Sequence, residues 1–166
     1  MAPTVRVVDA PGLPAVAWRW EPETDILAGA LRPAPGGPAG CLELSGFDGS
    51  VAVVDLADGR LAGLDVVVWP EVVTVPGLVP PAAGRTGSVQ FADSRGARPP
   101  AATTEQEVAM AVRANPGEDI IHLRVGAPRP ALAVQVADHL LVEVDDAGGL
   151  AGFWLSAVPP LTAGDA

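Results

Sequence analysis

His122 and His139 are the only two histidines among 166 residues, and Cys41 is the only cysteine. Imidazole is the side chain whose charge changes most readily near neutral pH, so these two residues are the first candidates for acid–base or metal chemistry. Both read as strand residues: His122 alternates with Arg124, and His139 shares a face with Glu143. With Asp119 nearby, His122, His139 and Glu143 could form a weak metal or ligand site, or an acid–base pair. The plainer reading is two solvated strand residues. The first half of the chain has no histidine, so a symmetric site is excluded. Cys41 adjoins a Pro/Gly loop and Leu42 and reads as a small strand or loop residue rather than a nucleophile. The five serines include no Gly-x-Ser-x-Gly elbow. Asp55, Asp58, Asp145 and Asp146 lie in Gly-containing turns, but position twelve counted from Asp55 is Val66, where a calcium loop needs Glu. No phosphate-binding glycine motif occurs, and no lysine exists for a P-loop. These absences predict no cofactor, no tightly bound metal and a non-catalytic chain rather than an enzyme.

Four tryptophans remain, and they suggest recognition rather than reaction. Trp18 and Trp20 alternate with Arg19, and Trp69 precedes Pro70. Either they fill a core otherwise built of Ala and Val, or they form an exposed aromatic patch. Trp and Arg dominate protein-interface hot spots, so Trp18, Arg19, Trp20 and Trp69 are the interaction candidates.

Composition narrows the partner. Ten basic residues against twenty acidic give a net charge of −10, and every basic residue other than histidine is Arg. Cationic side chains supply most of the affinity for a phosphate backbone, so nucleic acid is a poor partner. Hydrophobic residues make up 49%, which argues for a packed core. Asp9, Pro11 and Pro14 interrupt any signal-like apolar stretch, and Asp65 and Pro70 break the strongest membrane-span candidate. The expectation is a cytoplasmic protein without a membrane partner.

The elements that must position these residues come twice. Val16-Ala-Trp-Arg-Trp-Glu-Pro-Glu-Thr-Asp-Ile-Leu27 matches Met110-Ala-Val-Arg-Ala-Asn-Pro-Gly-Glu-Asp-Ile-Ile121 at an offset of 94 (110 − 16). Leu61-Ala62-Gly63 matches Leu150-Ala151-Gly152 at an offset of 89 (150 − 61), in the same order along the chain. Two collinear matches favour a duplication. The halves are then 1–75 and 85–160, joined by a Pro/Gly linker at 76–84 and followed by a tail at 161–166.

Within each half the signals are those of strands. Asp25–Leu31, Ser50–Leu56 and Leu61–Trp69 are β-branched or apolar runs, with a loop at 32–40 and an Asp58-Gly59 hairpin turn between the last two. Ile120–Val125, Ala131–Val136, Leu140–Val144 and Leu150–Ala157 repeat the plan. Aligning Asp55 with Asp145 keeps the apolar faces in phase and makes the first turn one residue longer. One short helix is expected near 105–114, because Thr104-Glu-Gln-Glu107 is a capping box followed by Val108, Ala111 and Val112. Its counterpart, Ala15–Trp20, alternates like a strand. The predicted fold is mainly β: two tandem antiparallel β-meanders packed as a pseudo-twofold sandwich or barrel-like unit.

Asp25-Ile-Leu and Asp119-Ile-Ile open strands, and Asp55-Leu-Ala-Asp-Gly-Arg-Leu-Ala-Gly-Leu64 and Asp145-Asp-Ala-Gly-Gly-Leu-Ala-Gly-Phe153 span hairpins. In these motifs the chain resembles a family of short bacterial domains of unknown function with the pattern Asp-x-Leu-Tyr, then Asp-x-Asp-Gly-x-Leu-x-Gly-Ile. Ala28 and His122 stand where that pattern has Tyr. The resemblance implies a duplicated β-meander and assigns no activity. The function expected is therefore a non-catalytic protein-interaction or assembly module, acting on a protein partner or by self-association. An acidic immunity or antitoxin protein is one form of it. The alternative is a small-ligand-binding protein or enzyme with its site between the halves.

Overall fold

The computed structural model describes residues 2–92 and 103–161. Its strands in chain order are β1 (Val5–Val8), β2 (Ala15–Trp20), β3 (Leu27–Arg32), β4 (Ala39–Ser45), β5 (Val51–Ala57), β6 (Arg60–Val68), β7 (Val72–Thr74), β8 (Arg85–Thr86), β9 (Ser88–Phe91), β10 (Thr103–Glu107), β11 (Met110–Ala114), β12 (Ile121–Val125), β13 (Ala131–Ala137), β14 (Leu140–Asp145) and β15 (Leu150–Leu155). The predicted mainly β fold is present as two sheets.

Each half builds the same five-stranded antiparallel unit. The first pairs in the order β2-β3-β6-β5-β4 and the second in the order β11-β12-β15-β14-β13. The last three strands of each half form a meander. The second strand of each unit lies beside the last, which turns the meander into a Greek key. Asp58 and Gly59 close the β5–β6 hairpin with φ of 51° and 77°, the left-handed pair that a two-residue turn requires.

The inner faces meet in one core. Leu27, Val54 and Leu64 from the first sheet pack with Leu123, Val142 and Phe153 from the second, all almost fully buried. Period-two alternation directs these residues inward and leaves Arg19, Asp65, Arg113 and Glu143 on the outer faces.

The expected helix near 105–114 is two strands instead. Thr103–Glu107 pairs in parallel with β4, Thr103 opposite Cys41, and Met110–Ala114 pairs with β12. Val108, Val112 and Ala114 are buried, a period-two set that pairing with neighbouring strands favours over the local capping signal. The first half confirms the choice, because Ala15–Trp20 is the equivalent strand β2. The loop expected at 32–40 is confined to 33–38, between Arg32 at the end of β3 and Ala39 at the start of β4. The expected tail at 161–166 lies outside the described residues except for Leu161.

The sheets do not divide at the linker. β7 pairs in parallel with β11, and β8 pairs in parallel with β13, both in the second sheet. β9 and β10 return to the first sheet, where β9 pairs with β1 and β10 with β4. Strands β7 to β10 thus interlace the two halves.

Candidate functional site

The repeated Leu-Ala-Gly encodes a β-bulge. Leu56 pairs with Leu61 and Asp55 with Gly63, leaving Ala62 extra; Val144 pairs with Leu150 and Glu143 with Gly152, leaving Ala151 extra. This register corrects the alignment from sequence. Asp55 is the counterpart of Glu143, not of Asp145, and the turn of the second half is the longer. The slip is two residues, so the faces stay in phase. Asp145 instead accepts from Arg129 Nε at 2.7 Å and from the backbone N–H groups of Ala147 and Gly149, tying its turn together.

Beyond the bulge, glycine leaves space for a carboxylate. A Cβ on Gly152 would lie 2.7 Å from both Glu143 Oε1 and Leu123 O. A Cβ on Gly63 would lie 2.8 Å from Gly29 O and 3.1 Å from Asp55 Oδ2. Gly29 and Leu123 are themselves equivalent, so both halves use one device: a bare position beside a carboxylate on the outer face.

In the second half that face carries a row of side chains across four strands. Arg113 faces His122, His122 faces Trp154, and Trp154 faces Leu141. His122 Nε2 lies 2.6 Å from Glu143 Oε1, and Arg113 Nη2 lies 3.1 Å from His122 Nδ1. A guanidinium can only donate, so Nδ1 accepts and the ring proton sits on Nε2, pointing at Glu143. The imidazole stacks on Trp154 with centroids 4.3 Å apart. His122 and Trp154 are buried, and Leu78 of the linker packs with Trp154, Leu141 and Ala133 in a small second core. Burial pushes the Glu143 carboxyl up; His122, the Trp154 indole N–H and Arg113 outweigh it and hold it below the usual range. That indole N–H sits close enough to matter without making a hydrogen bond of good geometry.

The first half carries the equivalent row with different chemistry: Arg19, Ala28 and Asp65, beside Asp55. Burial pushes both aspartates up, and the Asp55 charge pushes Asp65 further. A scan against protein-family models finds no match, and a search of curated proteins finds no similar sequence.

The sequence candidates therefore separate. His122 and Glu143 come together, and Arg113, absent from the candidates, joins them; its alternation with buried Val112 and Ala114 was the available signal. His139 sits in the β13–β14 turn, not on a strand, where it faces Asp138 at 3.8 Å. Trp18 is a core residue whose ring lies over Gly29, where no Cβ would fit. Trp20 and Trp69 are half-buried, their rings tilted 33° to one another with centroids 5.7 Å apart; Trp20 Nε1 donates to Pro159 O and Trp69 Nε1 to Asp25 O. Of the four interaction candidates only Arg19 is well exposed, at 74%, and it pairs with Glu21 at 3.3 Å. Of the two readings of the tryptophans, Trp18 takes the core one, while Trp20 and Trp69 keep part of their surface exposed: alternation turns Trp18 and Trp20 toward the core and Arg19 outward.

Chemically, the Glu–His pair resembles half of a catalytic triad, but its working nitrogen is capped. A triad leaves the second ring nitrogen to a nucleophile, whereas Arg113 takes it here. The cleft beneath Pro80 and Pro81 is about 210 Å³ and is lined by Leu141 and Trp154 but not by His122. The wider cleft where the halves meet, about 560 Å³, is lined by Phe47, Val108 and Ala127 and by none of His122, His139 or Glu143.

Proposed function

We propose that this chain is a non-catalytic protein-interaction module that receives a strand at one sheet edge. The observation behind this reading is the use of the four edges of the two five-stranded units. β4 carries β10, β13 carries β8 and β11 carries β7, each added in parallel. The fourth edge, β2, pairs only with β3 among the described residues. An unpaired strand presents a row of N–H and C=O groups that another chain can complete. The capped imidazole supports the non-catalytic half of the reading. The net charge of −10 favours a partner with a basic surface.

Amide hydrogen exchange tests the open edge. Glu21 N donates to Ile26 O, which sets the alternation: Ala15, Ala17 and Arg19 bond toward β3, and Val16, Trp18 and Trp20 point away. Trp18 and Trp20 amides should exchange far faster than those of their counterparts Val112 and Ala114, which β7 covers. Equal protection at the two pairs in the monomer would mean a closed edge and would end this reading.

A further inference from the structure

From the strand already seated on the equivalent edge, we infer that β2 takes a short, β-branched segment of a partner protein, added in parallel in the register of β7. This inference rests on the open-edge reading and specifies the occupant. Trp18 faces Gly29 as Val112 faces Leu123, so the 94-residue offset (112 − 18) relates the two edges in space as well as in sequence. On β11 the occupant is Val72-Val73-Thr74, with Val72 opposite Val112 and Thr74 opposite Ala114. Val75 N donates to Ala114 O. In a parallel ladder one residue bonds to the two that flank its partner, so Val73, between Val72 and Thr74, directs its N–H and C=O at β11.

The same frame exists around β2. Its beginning is closed, because Asp138 N donates to Pro14 O and Val16 N donates to Asp138 Oδ1. Its end meets Pro159 through the Trp20 indole. The outward groups between these points belong to Trp18 and Trp20, which leaves room for a segment the length of β7. Its middle side chain would lie beside Arg19, as Val73 lies beside Arg113. Its flanking side chains would lie beside Trp18 and Trp20 on the core side. Main-chain bonds would supply affinity, and the two indoles would select β-branched neighbours over charged ones.

The probe is a free peptide with the sequence of residues 70–76, Pro-Glu-Val-Val-Thr-Val-Pro, titrated into the full chain and followed by amide NMR shifts. Saturable shifts should centre on Trp18 and Trp20. Val73→Pro in the peptide removes the inward N–H and should weaken binding by about tenfold or more, while Val73→Ala, which keeps that N–H and lies beside Arg19 rather than an indole, should change it little. A spin label on the peptide N-terminus should broaden Val16 more than Glu21, which reports the parallel direction. Fast-exchanging Trp18 and Trp20 amides without peptide shifts there would overturn this occupant and leave the open edge standing. Stronger broadening at Glu21 would overturn the direction. Shifts that follow protein concentration instead would make a second copy the occupant. Binding seen only for a chain ending at Leu161 would mean that the edge is filled in cis. Either of these last results overturns the proposal.

Discussion

Carboxylates on the matching outer faces of the two halves carry opposite signs of pH dependence. Glu143 is held below its ordinary value of 4.5 in the folded chain, so its contribution to stability is present at neutral pH and is lost as pH falls through the depressed value. Asp65 is raised above 3.8 by burial and by Asp55, so ionising it opposes folding once pH exceeds the unfolded value. Glu143→Gln should therefore cost about 1 kcal/mol at pH 7, a charge-assisted bond discounted for partial exposure, with the difference from wild type closing in acid. Asp65→Asn should raise stability at pH 7, and its advantage should vanish below the ordinary aspartate range. Urea unfolding across pH reads both, and parallel curves for the two variants would refute the assignment. Little of this was legible in the sequence. His122 and Glu143 stood out by type, but pairing β14 with β15 through a bulge decides which carboxylate meets the imidazole. His139, one residue short of β14, lies in the turn beside Asp138 and so drops out of the alternation that would have set it on the face of Glu143.

At the level of elements, the bulge is where the repeat is most exacting. In both halves the residue after the extra alanine must be bare, because a Cβ would strike a backbone carbonyl as well as a carboxylate. Side chains can turn aside, but the neighbouring strand's carbonyl cannot without disturbing its ladder. Gly152→Ala and Gly63→Ala should each cost about 1–3 kcal/mol in chemical denaturation. A loss in only one half would show that the two bulges are not equivalent. Most strands were legible from β-branched runs between turn residues, and Asp58-Gly59 fixed its hairpin. The segment 104–114 was not, because Thr104 and Glu107 fit a helix cap locally while Val108, Val112 and Ala114 fit a strand just as well. Only the partner strands β4 and β12 decide between these patterns. The two- to four-residue strands β1, β7, β8 and β9 carry too few side chains to show a period at all.

At the scale of the whole molecule, the halves share edges as well as a core. β7 lies in the sheet of the second half, and β9 and β10 lie in that of the first. Cutting within 76–84 should therefore leave two fragments that stay largely unfolded when separate and regain β structure when mixed, as circular dichroism would register. Two independently folded fragments would contradict the interlacing. The same weave sets a timetable for synthesis on the ribosome, where folding domains form from the N-terminus onward. When β6 has emerged, β4 has no outer neighbour, because β10 is not yet made. β7 emerges before the strand that will hold it, and waits for β11. The nascent first half cannot finish its own sheet until residue 107 is in the open, so each half is completed only by a strand the ribosome delivers from across the boundary.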